Sequence, residues 1–214
     1  MTNYERDQEE LRYRKVLSKP VPFPCFEWLK KACWNARKEE NKINRKLLGH
    51  IKEEYKINDI PFHFNDFIIE DCLSTEIMLS YTRKLTVTDK DRPFFIDNLW
   101  CNFQKKHEFN PPHNHSGIYS FVIFVQIPYN LKEEENVFPE IGDDNRPDKA
   151  NYTSKFAFIN ADPSGEIRCD PLNIDQSYVG KLLMFPAKQL HEVFPFYTTD
   201  EYRITVSGNI RLKV

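Results

Sequence analysis

Two histidines one residue apart, His113 and His115, stand just before a long run of β-forming residues that extends from Tyr119 to Ile127. In an extended chain alternate side chains share a face, so this spacing predicts two imidazoles pointing the same way. Such a pair binds a divalent metal when other segments complete the shell. His191 stands in a similar setting downstream, just after Gly180-Lys-Leu-Leu-Met-Phe-Pro186. The following β-like segment carries Arg203 and Thr205, two apart and hence on one face. A guanidinium fork beside a hydroxyl suits a carboxylate. Three neutral imidazoles leave one side of a metal open to water or to a chelating substrate. Together the groups suit a small dianionic acid that chelates the metal at one end and meets the arginine at the other. Glu108 and Asp162 are alternative sources of a carboxylate ligand.

The elements that must position these groups divide the chain near residue 90. The first dozen residues are polar and are expected to be loosely ordered. Val16 to Cys25 holds three prolines and reads as an extended approach. From Phe26 to about Tyr55 the apolar spacing is helical and predicts two helices. Trp28, Leu29, Ala32 and Cys33 mark the first, and Ile43, Leu47, Leu48, Ile51 and Tyr55 the second. A third, shorter helix is expected over Phe64 to Tyr81. After Pro93 the pattern becomes β-like, with strands over Phe94–Gln104, Gly117–Ile127, Phe156–Ile159, Ile167–Cys169, Lys181–Phe185 and Tyr202–Leu212. Short strands after a helical N-terminus predict an α+β chain, mainly β in its core, with antiparallel strands and helices on one side. Residues 1–90 would form an extended segment and helices packed on a core of residues 91–214, one structural domain overall. The acidic stretch from Lys132 to Asn151 is longer than ordinary connections, which makes it either a lid or a solvated connector.

Composition bounds the function. With 30 basic against 32 acidic residues the formal charge is −2, and no basic stripe accompanies the aromatics, which argues against nucleic acid as partner. The 17 Phe and 10 Tyr suit a β-rich core. Five cysteines without a CxxC pair or disulfide rhythm fit reduced thiols, and the charged N-terminus does not read as a secretory signal. No apolar run approaches the roughly 20 residues of a membrane span. A cytoplasmic protein is expected.

The motifs, taken in order, resemble the Fe(II)- and 2-oxoglutarate-dependent oxygenases, nearest to a group frequent in bacteriophages of marine bacteria. The resemblance runs through Trp100-x-Asn102-x-Gln104, Asn110-Pro-Pro-His-x-His-Ser-Gly117, the Ser120-Phe-Val strand ending at Pro128, and Leu183-x-Phe-Pro186. It continues in His191 and Arg203-x-Thr205-x-Ser-x-Asn209, while Leu47 to Tyr55 looks like that group's upstream helix. It implies a double-stranded β-helix, a cupin-like jelly roll, with iron near one open end. It also implies His113 and His191 as iron ligands, and Arg203 with Thr205 on the distal carboxylate of 2-oxoglutarate.

The chain departs from the family's His-x-Asp or His-x-Glu pattern, because it has His113-Asn-His115. The spacing favours His115 as the second ligand, and an all-histidine site lacks the negative charge that offsets Fe(II). Counted along an unbroken strand, Tyr119 shares the parity of His113 and is expected to hydrogen-bond the cosubstrate, with Phe121, Ile123 and Val125 as a dry wall. Asn102 is a further cosubstrate candidate on a neighbouring strand. The implied reaction couples decarboxylation of 2-oxoglutarate to succinate with O2-dependent oxidation, usually hydroxylation, of a second substrate, with ascorbate as a stimulant. That second (prime) substrate is a protein side chain, with a nucleobase or a small molecule as alternatives. Two further readings stand beside this one: a three-histidine cupin enzyme without 2-oxoglutarate, and a virion-associated or binding protein that keeps the fold without turnover. If the protein is viral, its setting is the host cytoplasm.

Overall fold

The computed structural model describes residues 2–13, 15–44, 48–82, 93–139, 151–161 and 164–213. The boundary expected near residue 90 lies outside them. Apolar alternation builds two antiparallel sheets from β1 (Leu17–Pro20), β2 (Glu54–Lys56), β3 (Phe94–Gln104), β4 (Asn110–His113) and β5 (Tyr119–Gln126). They are completed by β6 (Phe156–Ala161), β7 (Ile167–Leu172), β8 (Lys181–Pro186), β9 (His191–Val193) and β10 (Arg203–Leu212). Among the described residues the larger sheet runs β1-β8-β5-β10-β3-β2 and the smaller β4-β9-β6-β7.

The larger sheet is apolar on both faces because it is covered twice. Leu99, Cys101, Phe103, Phe121, Ile123, Val125, Leu182, Met184, Ile204 and Val206 pack with Leu29, Cys33, Phe64, Phe67 and Ile68 of the helical layer. Their strand neighbours Val122, Phe124, Leu183 and Phe185 turn inward, against Phe156 and Phe158 of the smaller sheet. The helical layer is α2 (Phe23–Ala36), α3 (Phe62–Asp66, continuing as a π turn over Phe67–Cys72) and α4 (Glu76–Thr82). The expected helix over Phe64 to Tyr81 is thus present in pieces.

Two expectations are corrected. The helix predicted between Ile43 and Tyr55 is absent among the described residues: a 3-10 turn at Glu39–Asn41 leads on to β2. Edge pairing overrides the helical spacing here, because β3 exposes backbone groups that need partners. Phe103 donates its N–H to the Glu53 carbonyl at 2.8 Å, and Ile57 donates to the Leu99 carbonyl at 2.9 Å. The N-terminus is also ordered, as α1 (Asn3–Tyr13). Leu11 is fully buried there, Tyr4 meets Tyr178 edge-on at 5.2 Å, and the Tyr178 hydroxyl bonds to Asp7.

The acidic connector begins with a short helix, α5 (Leu131–Glu135), capped by the Asn130 side chain. Glu134 on it is completely buried. Its carboxylate accepts the backbone N–H groups of Tyr197 and Thr198, so this part of the connector is tied inward. Residues 140–150 of the expected lid lie outside the described ones.

Candidate active site

His113 ends β4 and stands opposite His191, the first residue of β9. His115 lies just beyond β4 and is tied to the turn after β8 by its backbone N–H, 2.8 Å from the Ala187 carbonyl. One ligand nitrogen from each imidazole falls within 4.8 Å of the other two. The Nε2 atoms of His115 and His191 approach to 3.3 Å.

Backbone carbonyls fix two of the rings. His113 Nδ1 is 2.7 Å from the Pro111 carbonyl and His191 Nδ1 is 2.9 Å from that of Gln189. A proton held at each Nδ1 leaves the Nε2 lone pair aimed at the common centre. Burial lowers the pKa of all three: His113 below its ordinary value, His115 to about 4 with help from His113, and His191 well below its ordinary value. Three neutral imidazoles at neutral pH are the form a metal requires.

The same cavity is also lined by Arg203, Asn102, Gln104, Thr205 and Ser207. Arg203 is only 2 % exposed. Its N–H groups meet neutral oxygens: Gln104 Oε1 at 2.7 and 3.0 Å, the Tyr129 hydroxyl at 2.9 Å, and the carbonyls of Ser154 at 2.6 Å and Phe194 at 2.8 Å. No carboxylate pairs with it among the described residues. A buried cation with only neutral partners is costly, and an anion that reaches it gains strongly.

A family model described as "Putative 2OG-Fe(II) oxygenase" matches residues 98–209, which include all three histidines, Arg203 and Thr205. The chain belongs to the Fe(II)- and 2-oxoglutarate-dependent oxygenases. Its fold is that of a Pseudomonas putida prolyl-4-hydroxylase, with a TM-score of 0.53, 13 % identity and 96 % of each chain covered. A Trichoplax adhaerens prolyl hydroxylase, solved with a hypoxia inducible factor peptide fragment, aligns with a TM-score of 0.50 and 11 % identity over 98 % of this chain and 90 % of that one. No curated protein matches the chain at a significant level. These relatives give the two facing sheets their name, the double-stranded β-helix.

The oxygenase family implies Fe(II), 2-oxoglutarate and O2, and the residues fit the first two. The donor set is three inward-facing imidazoles, and the buried guanidinium is matched to a carboxylate. Asn102 Nδ2 donates to Thr205 Oγ1 at 3.0 Å, which leaves the Thr205 hydroxyl proton free for a carboxylate. Asn102 and Thr205 thus stand where the sequence sets them, adjacent in the β3–β10 register and facing the cavity.

Tyr119 does not line this cavity. Its hydroxyl donates to the Met78 carbonyl at 2.7 Å and also meets Thr82 Oγ1, both on α4 behind the larger sheet. Parity does not carry from His113 to Tyr119 because the strand is broken. β4 belongs to the smaller sheet and β5 to the larger, and the chain crosses between them at residues 114–118. Gly117 makes the crossing with φ +110°, and a Cβ there would sit 2.7 Å from the Ile210 carbonyl oxygen. The count therefore restarts. Ile123 and Val125 face the helices, while Val122 and Phe124 wall the cavity, with Phe121 touching its edge.

Glu108 is not part of the histidine cluster; its carboxylate accepts the Lys105 N–H at 3.0 Å and closes a turn. Asp162 lies outside the described residues. Gln104 and Tyr129, which hold Arg203, and Glu54 are site residues beyond those the sequence predicts. Gln104 was legible by its period-two spacing from Asn102. Glu54 was hidden by the helical reading of its segment.

Proposed function

We propose that this oxygenase is a hydroxylase in which His113, His115 and His191 hold Fe(II), and Arg203 and Thr205 receive the distal carboxylate of 2-oxoglutarate. Iron and cosubstrate together supply the oxidising chemistry: O2 is consumed, 2-oxoglutarate becomes succinate and CO2, and a C–H bond of a second substrate is oxidised. The observation that carries the reading is the convergence of three neutral imidazoles beside a buried guanidinium that has only neutral partners.

The protein's own contribution is placement and dryness. The carbonyls of Pro111 and Gln189 orient two rings, and Val122, Phe124, Phe156 and Phe185 exclude water. Gln104 occupies Nε and one terminal nitrogen of Arg203 through a single amide oxygen, and yields that side when a carboxylate enters. Thr205 keeps Asn102 turned toward the cavity. The family pattern supplies one negative ligand where this chain has His115, so the dianionic cosubstrate takes a larger share of neutralising the metal.

The second substrate is a protein side chain or a small molecule, and free thiols at Cys25, Cys33, Cys72, Cys101 and Cys169 favour an intracellular setting. Among the described residues no helix is long and apolar enough to cross a membrane. Succinate formation from 2-oxoglutarate with Fe(II), O2 and ascorbate tests the proposal. Wild type is expected to form it, and Arg203→Lys to keep its iron while needing far more 2-oxoglutarate. Wild type that binds iron but forms no succinate contradicts the proposal and leaves a three-histidine cupin enzyme or a binding protein.

A further inference from the structure

We infer that the prime substrate presents a cationic nitrogen, an ammonium or guanidinium group, to Glu54 beside the histidine centre. The inference rests on the oxygenase reading and adds the chemical class of the second substrate.

Glu54 is a polar residue in an unusual position. It lies on β2, the edge of the larger sheet, and is 1 % exposed. Register sets it opposite Asn102, which in turn stands opposite Thr205, so the three form a row across the sheet. Its carboxyl lines a shallow pocket with Leu48, Gly49, Trp100, Asn110, Asn114 and two of the centre's own residues, His113 and His115. Trp100, Asn110, His113 and His115 also line the main cavity, so the two adjoin at the histidines.

The described groups of this pocket offer acceptors. Glu54 Oε2 takes one long bond, 3.2 Å, from the Asn44 side chain, and no lysine or arginine among the described residues pairs with it. Asn110 Oδ1, in this pocket, and Asn102 Oδ1, in the adjoining main cavity, are both buried without a partner. The Asn102 amide nitrogen, which could have served Glu54, is committed to Thr205. Buried acceptors left unsatisfied are costly, and a ligand bearing several N–H donors satisfies them together. Burial, with Glu108 adding to it, raises the Glu54 carboxyl to about 8, so a cation is also what would restore its charge.

Charge at the metal does not oppose this. Three neutral imidazoles add nothing to the double positive charge of iron, and the dianionic cosubstrate cancels it. With Arg203 counted the loaded site carries one net positive charge, so it is Glu54, ionised on binding, that offsets the incoming cation. A neutral substrate would leave that acid protonated and Glu54 without a role in binding. Leu48, 71 % exposed at the rim, offers an apolar contact for the alkyl stem that carries the charged head.

The test uses the full chain loaded with Mn(II) and 2-oxoglutarate, with Mn(II) serving as a paramagnetic probe of distance. Proton relaxation of 2-oxoglutarate is measured first, then that of n-butylammonium, n-butylguanidinium, butyramide and 1-butanol. The two cations are expected to be relaxed about tenfold more than butyramide or 1-butanol, and Glu54→Gln to abolish the difference. Thermal unfolding of Glu54→Gln, expected to be no lower than wild type, shows that the loss is not misfolding. Equal relaxation of all four probes, relaxation of none, or an unchanged preference in Glu54→Gln overturns the inference. Butyramide matching the cations overturns the requirement for charge. If 2-oxoglutarate itself is not relaxed by the metal, the oxygenase reading fails instead.

Discussion

His191 faces His113 across the β4–β9 pair, their rings 4.3 Å apart between centroids, so one backbone register delivers two of the three imidazoles. His115 reaches the same point from the crossing that follows β4, within 3.3 Å of His191. Replacing any one of them leaves a two-nitrogen site. His113→Ala and His191→Ala are each expected to weaken Mn(II) or Fe(II) binding by at least about 100-fold while the far-ultraviolet circular dichroism is kept. Calorimetric titration reads the affinity, and near-native binding in either variant would show that the metal sits elsewhere.

Tyr119 lies behind the larger sheet, hydrogen-bonded to α4 and facing Phe94 and Tyr81. Tyr119→Phe therefore removes a helix anchor and leaves the cavity intact. It is expected to cost about 1 kcal/mol in urea unfolding and to leave the KM for 2-oxoglutarate within about twofold of wild type. A large rise in KM with unchanged stability would restore the role its sequence position suggests.

Glu54 gives the metal-free protein a pH dependence of definite sign. Its folded pKa is raised by burial, from an ordinary 4.5 to about 8. The folded state therefore keeps a proton that the unfolded chain releases, and the stability contributed by that neutral acid is lost as pH rises between those two values. Glu54→Gln has no proton to give up. Its stability relative to wild type is expected to be near even at pH about 5 and to grow by about 2–4 kcal/mol by pH about 8 in urea unfolding. An advantage that stays flat across this range would mean that the acid is ionised in the fold.

The β core was readable because its strands alternate over long runs: Leu99, Cys101 and Phe103 face the helices and Trp100, Asn102 and Gln104 the cavity, as period two requires. His113, His115, His191, Arg203, Asn102 and Thr205 were legible for the same reason, each set in a short motif beside a strand. The fate of Tyr119 was not legible, since parity carries no information across a crossing between sheets. β2 was obscured by local spacing that suits a helix as well as an edge strand; only the open edge of β3 decides between them. Tyr129, far from the motifs in sequence, became visible only when β10 brought Arg203 to it.

The central claim is that one cavity holds iron on three imidazoles and the cosubstrate on Arg203. Anaerobic addition of Fe(II) and then 2-oxoglutarate, followed in the visible spectrum, tests it most directly. Wild type is expected to develop the charge-transfer band of the chelated metal, saturating at one equivalent of iron. Arg203→Lys should reach the same band only at much higher 2-oxoglutarate, and His191→Ala should not form it. Wild type that binds Fe(II) but shows no band with excess 2-oxoglutarate would contradict the account.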